Sequence, residues 1–143
     1  IINYRMKLLT IIISLFFIIN YLVANTDYFN EGVKFFINNE FEKAKFKFEQ
    51  DIVFNPKNEN SYLYLSKIFK KEEKKDLEER NLSTVLKLNP RNEEAAYNLA
   101  SLKLNNSDFS ESKKLVEQLL TFCEKYCQKS KELKSEIDNS IKK

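Results

Sequence analysis

Two cysteines, Cys123 and Cys127, have the most distinctive chemistry in this sequence, and no histidine accompanies them. Without histidine, a zinc site would have to recruit carboxylates, so we expect no bound metal. On one helix the four-residue spacing leaves the two α-carbons about 6 Å apart, which permits a disulfide only marginally. We therefore expect the two residues to pack as small apolar groups, with a disulfide as the alternative outside the cytoplasm.

Acidic residues occur in consecutive pairs, at Glu78-Glu79 and Glu93-Glu94, and consecutive side chains diverge on a helix. Such pairs do not form the facing carboxylates of a glycosidase or a metal site. The absence of histidine also removes the usual general base of nucleophilic catalysis. A single glycine excludes glycine-rich phosphate loops. We expect neither catalysis nor a cofactor.

The charged residues alternate in sign along the chain, and the formal net charge is only +3. In the run at residues 70–75, Glu72 and Glu73 offset much of the positive charge of the lysines. Nucleic acid binding requires a clustered basic face. The charge pattern therefore indicates solvated helix surfaces, and we expect no nucleic acid partner.

The elements that position these residues are expected to be helices. The sequence is 43% hydrophobic and 31% charged, which is typical of a packed domain. It contains one glycine and two prolines. So few chain-bending residues exclude folds built from many tight turns. The composition therefore predicts a single all-α domain.

An apolar segment precedes this domain. Residues 8–24 carry no charge, Arg5 and Lys7 come before them, and Ala24 ends the run. This pattern is typical of a secretory signal or, if uncleaved, of a membrane anchor, although the run is a little short for spanning a bilayer. A buried helix of the fold is the third alternative. The pattern predicts an extracytoplasmic protein, periplasmic or secreted, or a membrane-anchored one whose C-terminal bulk lies outside the cytoplasm.

A repeat of 34 residues follows the apolar segment. Pro56 and Pro90 are 34 residues apart, and each closes a similar phrase. The same offset aligns residues of matched size through the chain: Tyr28 with Tyr62, Gly32 with Ser66 and Ala100, Phe35 with Phe69, and Phe48 with Leu82 and Val116. Small residues allow two helices to approach closely, and the large ones fill the seam between them.

This pattern resembles the tetratricopeptide repeat family. The first unit supplies Tyr28, Gly32, Phe35, Ala44, Phe48 and Pro56, the second supplies Tyr62, Leu65, Phe69, Leu82 and Pro90, and the third supplies Leu99, Ala100, Asp108, Phe109 and Leu119. The resemblance implies an α-solenoid of three helix-turn-helix repeats plus a C-terminal capping helix. We place the N-terminal signal or anchor helix at 1–24, the repeats at 25–58, 59–92 and 93–126, and the cap at 127–143.

Five residues depart from the family pattern, and two of them are Glu31 in place of a usual leucine and Lys75 where the other units have phenylalanine. Asp51 replaces a usual alanine, Glu78 replaces the small residue of the second helix, and Glu124 stands where the third unit would have its closing proline. We therefore expect looser helix pairing in the second unit. We also expect the last helix of the third unit to continue into the C-terminal segment.

The resemblance implies a concave groove lined by the first helix of each unit. The groove residues that it indicates are Phe29, Val33, Phe36, Tyr64, Lys67, Lys70, Lys71, Tyr97, Asn98, Ser101 and Asn105. Ile37, Leu63 and Leu104 occupy further positions of the same register. The groove is apolar at its start, basic in the middle and polar at its end, which suits a peptide or helix with an apolar end and an acidic end.

The function implied is that of a non-catalytic scaffold or adaptor that binds a protein or peptide partner outside the cytoplasm. The alternative is a structural subunit of a membrane-attached complex, with the apolar first repeat permanently buried and residues 8–24 in the membrane. Some family members hold the C-terminal carboxylate of chaperones through Lys, Asn and Arg. The matching positions here are Phe29, Val33, Tyr64, Glu94 and Asn98. Only Asn98 fits, so we do not expect that activity.

Overall fold

The computed structural model describes residue 7, residues 9–15 and residues 27–142. Residues 9–15 are helical and their side chains are exposed. The remainder of the expected signal or anchor at 1–24 lies outside the described residues. The other helices are α1 (Tyr28–Ile37), α2 (Phe41–Phe54), α3 (Glu59–Lys71), α4 (Lys75–Leu88), α5 (Glu93–Asn105), α6 (Phe109–Leu120) and α7 (Cys127–Ile141).

Each helix from α1 to α7 packs against the next one along the chain, in sequential antiparallel pairs. The pairs are α1 with α2, α3 with α4, and α5 with α6, so each predicted repeat contains one pair. Helix α7 packs against α6 and touches α5. The prediction of an all-α stack of helix pairs is confirmed for residues 27–142. No described helix is long and apolar enough to cross a membrane.

The turn inside each pair has the same backbone geometry in all three units. Asn39, Glu73 and Ser107 adopt positive φ angles of 60°, 56° and 61°. The next residue in each turn donates its N–H to a carbonyl five residues earlier, as Glu40 does to Phe35 at 2.9 Å. This is the Schellman arrangement, which satisfies the last carbonyl groups of the first helix and reverses the chain.

Each pair has a small residue facing a large one. Phe48 of α2 is fully buried against Gly32 of α1, and a β-carbon added at Gly32 would lie 2.7 Å from the Phe48 ring. The aligned positions hold Ser66 and Leu82 in the second unit, and Ala100 and Val116 in the third. All four of these aligned side chains are buried. Where the first helix has serine or alanine in place of glycine, the second helix has leucine or valine in place of phenylalanine. The combined size of the pair is therefore limited, and the two helices stay close.

The core consists of two clusters of different chemistry. Around α1, α2 and α3 it is largely aromatic, with Phe48 and Phe69 buried and Phe29, Phe36 and Tyr64 packed against them. Around α3 to α7 it is largely aliphatic. The buried members of this second cluster are Leu63, Leu82, Val85, Ala95, Leu99, Ala100, Leu102, Leu104, Leu115, Val116, Leu133 and Ile137.

The C-terminal segment differs from the sequence expectation. Helix α6 ends at Leu120 and a non-helical turn separates it from α7, so the expected continuous helix is wrong. Tertiary contacts end the helix in place of a proline: Glu93 accepts hydrogen bonds from the backbone N–H groups of Glu124, Lys125 and Tyr126 at 2.8–2.9 Å. Glu93 is remote in sequence, so the local pattern does not reveal this stop.

Candidate functional site

The first helices of the three units lie side by side and form the candidate site. Helix α1 contacts α3 through Phe36 and Tyr64, whose ring centroids are 5.0 Å apart. Helix α3 contacts α5 through an ion pair of 2.8 Å between Lys67 Nζ and Glu94 Oε1. The predicted groove residues are therefore neighbours across successive units, and all eleven are half-buried or exposed.

The first part of the groove is an aromatic cluster. The Tyr64 ring stacks on buried Phe48 at 4.9 Å between centroids and meets the Phe29 ring edge-on at 5.9 Å. Val33 and Phe36 pack against the same core cluster. These four groove side chains support the first unit and remain partly accessible. The expected apolar start of the groove thus also belongs to the core.

Of the three further register positions, two are buried and one is exposed. Leu63 and Leu104 are buried in the aliphatic core cluster, so assigning them to the groove lining was wrong. Each is an apolar residue on a first helix that packs against the helices before and after it, so its side chain is buried between helices. Ile37 is 69% exposed at the end of α1.

The middle of the groove is less basic than its composition predicts. Lys67 forms its ion pair with Glu94 and lies over the Tyr64 ring, with Nζ 4.9 Å from the centroid. Lys71 lies over the Phe41 ring at 4.8 Å. Lys70 is exposed, and no ion pair engages it within residues 27–142. One of the three predicted cations is therefore neutralised by a neighbouring unit.

The last part of the groove is polar. Asn98 and Ser101 are half-buried on α5, and Asn105 is exposed at the end of that helix. The Tyr97 ring lies 5.4 Å from the Tyr126 ring, between centroids, and so contacts the turn that leads to α7. These side chains offer hydrogen-bond donors and acceptors without a net charge.

A cleft of about 480 Å³ opens between the second and third units. Three predicted groove residues line it, together with four others: Lys70, Ser101 and Asn105, with Glu73, Lys75, Glu78 and Leu102. Glu78 is only 5% exposed. Burial raises the pKa of its carboxyl above the usual value, while Lys70 and Lys75 pull the pKa down more weakly.

Glu78 departs from the repeat pattern in the sequence, and the groove positions implied by the resemblance do not include it. The available signal was its alignment with Ala44 and Ser112, both fully buried in their units. A long acidic side chain at such a position must leave the helix contact and extend elsewhere. The looser pairing expected for the second unit does not occur, because α3 and α4 pack along each other and the Glu78 side chain lines the cleft.

The two cysteines are joined in the structure. Cys123 and Cys127 form a disulfide with their α-carbons 5.2 Å apart, so the expected packing as free small apolar groups was wrong and the alternative holds. Cys123 lies in the turn before α7 rather than inside a helix, so its α-carbon is closer to Cys127 than one continuous helix would allow.

The hydrogen bonds from this turn lower the pKa of Glu93, with the Tyr126 N–H contributing most.

No cluster of three potential metal ligands occurs within the described part of the chain. The charged groups instead pair across helices, as Lys103 does with Glu79 at 2.7 Å and Lys113 with Asp138 at 2.9 Å. The chemistry available at the groove is thus hydrogen bonding, ion pairing and aromatic contact.

The fold is similar to that of solved tetratricopeptide repeat domains. The first such domain of Spaghetti (RPAP3), bound to the HSP90 peptide SRMEEVD, superposes with a TM-score of 0.73 at 16% identity, over 81% of this chain and 91% of that chain. The TPR2B domain of yeast Sti1, in a pHsp70 complex, has a TM-score of 0.72 at 11% identity, over 80% and 95%. The C-terminal domain of a Plasmodium falciparum FK506-binding protein has a TM-score of 0.68 at 20% identity, over 81% and 87%.

No family model and no curated protein matches the sequence. The structural similarity confirms the resemblance stated from the repeat, at the level of the fold. The chain has the fold of an α-solenoid of the tetratricopeptide type, and the groove of its first helices is the candidate site.

Proposed function

We propose that this protein is a non-catalytic scaffold that binds a peptide or helix of a protein partner along the groove. One observation carries the proposal: the eleven groove residues lie on three adjacent first helices, and each is half-buried or exposed. The groove combines aromatic surface at one end with hydrogen-bonding side chains at the other. Such a surface binds an extended or helical segment through apolar anchors and polar contacts.

The structural neighbours support this type of function. The RPAP3 and Sti1 domains are both described in complexes, the first with an HSP90 peptide and the second with pHsp70. Since function depends on the site and not on the fold, the ligand has to be argued from the residues of this groove.

The groove does not favour a chaperone tail as the ligand. Of the positions that hold a terminal carboxylate in that class of domain, Phe29, Val33 and Tyr64 here form the aromatic cluster. Glu94 at a fourth position carries a negative charge and is paired with Lys67. A terminal carboxylate would meet apolar surface and an acid, so we propose a ligand that anchors an apolar side chain there instead.

We propose a location outside the cytoplasm, either free or attached to a membrane. The basic residues Arg5 and Lys7 before the uncharged run at 8–24 support this, and so does the Cys123–Cys127 disulfide, which suits an oxidising compartment. Cell fractionation with intact-mass measurement tests it. A mass that begins near Asn25, or a full-length chain in the membrane fraction, supports the proposal, and full-length protein free in the cytoplasm contradicts it.

The groove is tested by blocking it. Peptides selected from a displayed library against the full chain should bind Ser101→Arg at least about tenfold more weakly, because a large side chain fills the groove. The matched control is Ser110→Arg, an exposed position on α6 outside the groove register, which should bind like the unmodified protein. Equal binding by both variants would contradict the proposal, and circular dichroism verifies that both are folded.

A second candidate function is a structural subunit whose first unit is buried in a membrane-attached complex. It is favoured by exposed apolar side chains on α1 and α2, where Ile37, Phe46, Val53 and Phe54 are 54–73% exposed. Phe29, Val33 and Phe36, expected to form such a surface, pack partly on the core. Under this candidate, Val53→Asp should release the folded protein from its native complex during purification.

A further inference from the structure

Glu78 lies in the first turn of α4, where the other two units have a small buried residue. Glu78 lines the cleft between the second and third units. The residue is 5% exposed, so the surrounding protein removes most of its water. A buried carboxylate is stable only when donors replace that water.

The carboxylate of Glu78 lacks such donors within residues 27–142. No hydrogen bond or ion pair joins it to another side chain there, and Lys70 and Lys75 affect it only through longer-range charge interaction. Lys75 Nζ is instead hydrogen-bonded to Asn106 Oδ1 at 3.1 Å. Glu73, at the edge of the cleft, adds a second negative charge.

The other deeply buried acid shows what a satisfied carboxylate looks like in this protein. Asp51 is 2% exposed and accepts hydrogen bonds from Asn55 Nδ2 at 3.0 Å, Asn58 Nδ2 at 2.7 Å and Ser61 Oγ at 2.5 Å. These donors tie α2 to the turn and to α3. Glu78 is 5% exposed and has no such set of side-chain donors within residues 27–142, although it lines the cleft.

The cleft is continuous with the groove, because Lys70, Ser101 and Asn105 belong to both. A side chain entering from a bound segment would meet the Glu78 carboxylate together with the Ser101 hydroxyl and the Asn105 amide. The complementary group carries a positive charge and several N–H donors, which describes lysine and arginine. Lys70 and Lys75 also line the cleft and oppose a cation, and Glu73 offsets part of that opposition.

We propose that this cleft is a subsite of the groove that accepts a lysine or arginine side chain of the bound partner, with Glu78 as its ionic acceptor. The proposal rests on the groove function and adds a specificity that the composition of α3 did not predict. The lysines of the groove indicated an acidic segment in the partner. The subsite requires a basic residue at the point where the segment passes Glu78.

A small-molecule titration tests the subsite independently of peptide binding. The probes are N-acetylarginine amide and N-acetyllysine amide, with N-acetylnorleucine amide as the uncharged control, and the signal is the side-chain carboxyl carbon of Glu78 in the full chain. The cationic probes should lower the pKa of Glu78 in a saturable way. Comparing the two affinities decides between guanidinium and ammonium. The absence of a response to both cations, or an equal response to norleucine amide, would overturn the proposal.

Peptide selection tests the specificity. Peptides selected against the full chain should share one basic residue, and replacing that residue by norleucine should weaken binding about tenfold or more. Glu78→Gln and Glu78→Ala should abolish this difference, and Glu78→Ala restores the alanine found in the first unit. Glu49→Gln, an exposed position on α2, changes the net charge equally and should preserve the difference.

The two proposals fail in different ways. If peptides bind in the groove without a basic residue, the subsite is wrong and the scaffold function stands. If no peptide binds but arginine amide titrates Glu78, the scaffold function is wrong and the cation site stands. A basic preference that persists unchanged in both Glu78 variants would assign it to another residue and overturn the subsite.

Discussion

The first unit and the C-terminal part of this solenoid share the same repeat, but they differ in core packing and in the apolar surface that they expose. Helices α1 and α2 pack through aromatic rings and leave Ile37, Phe46, Val53 and Phe54 exposed. Helices α5 to α7 pack through aliphatic side chains, and in that part Ile141, in the last turn of α7, is the large apolar residue that stays exposed. A solenoid end exposes the face that a further repeat would cover. Here α7 covers one end, and the first unit presents apolar surface.

The units also solve the same packing problem with different pairs of side chains. Gly32 and Phe48 in the first unit occupy the positions of Ala100 and Val116 in the third. The absent β-carbon at Gly32 leaves space that the Phe48 ring fills. The two pairs should therefore be interchangeable only as pairs, which a double-mutant cycle measures.

The largest expected effect breaks this complementarity. Phe48→Val should lower the free energy of unfolding by about 2–4 kcal/mol, because it leaves a cavity beside Tyr64. Gly32→Ala alone should cost about 1–3 kcal/mol, because the added methyl group overlaps the Phe48 ring. In the Phe48→Val background the same Gly32→Ala change should be neutral or stabilising. Urea denaturation of the four proteins measures the coupling.

The reciprocal change in the third unit is the control for that cycle. Ala100→Gly should cost about 1–2 kcal/mol, because it lowers helix propensity and removes a buried methyl group. If Gly32→Ala costs the same in both Phe48 backgrounds, the proposed size complementarity is wrong.

The next effect concerns the C-terminal end, where the Cys123–Cys127 disulfide joins the turn to α7. Cys127→Ser should lower the free energy of unfolding by about 2 kcal/mol, because the disulfide closes a short loop of the unfolded chain. Dithiothreitol should lower the stability of the unmodified protein to that of the variant and leave the variant unchanged. Thermal unfolding with and without reductant measures this, and reductant-independent stability of the unmodified protein would contradict it.

The contributions of two acids to the free energy of unfolding should change with pH in opposite directions. Glu78 reports on the cleft, and Glu93 reports on the turn before α7. The pKa of Glu93 is lowered on folding, so its stabilisation is present above the unfolded value of 4.5 and is lost as pH falls through the folded pKa. The pKa of Glu78 is raised on folding, so stability is lost as pH rises from the unfolded value of 4.5 through the folded pKa.

Glutamine variants test these signs. Glu78→Gln should raise the midpoint of thermal unfolding at pH 7, and the gain should disappear below the unfolded pKa of 4.5. Glu93→Gln should lower the midpoint at pH 7, with the difference disappearing in acid. Glu49→Gln, exposed on α2, serves as the control for net charge. Parallel pH profiles for all three variants would refute the assignment.

The smallest effect compares the turns of the two ends. Ser107→Gly should stabilise by about 0.5–1 kcal/mol, because glycine adopts a positive φ without the cost that serine pays. Asn39→Gly should gain less, because asparagine already tolerates this conformation. Ser110→Gly in α6 is the matched control and should destabilise by about 0.5–1 kcal/mol. A loss of stability in Ser107→Gly would show that its side chain has another role.

The sequence by itself determined the repeat and therefore the stack of helix pairs. Its signals are local: a proline after α2 and α4, small and large residues at helical spacing, and a period of 34 residues. Each signal acts within one helix or between consecutive helices, where chain connectivity already fixes the neighbours. The register of the groove was implied by the resemblance to the repeat family, applied to the first helix of each unit.

Only the tertiary structure decided which of those positions are available and what charge they present. Lys67 forms an ion pair with Glu94 on another helix, so its charge is balanced within the protein. Leu63, at a predicted groove position, is buried in the core. Glu93 ends α6 from the start of α5. Glu78 is 5% exposed, and no side chain of residues 27–142 donates a hydrogen bond to its carboxylate. These outcomes depend on distances between units, to which residues remote in sequence contribute, so no local pattern contains them.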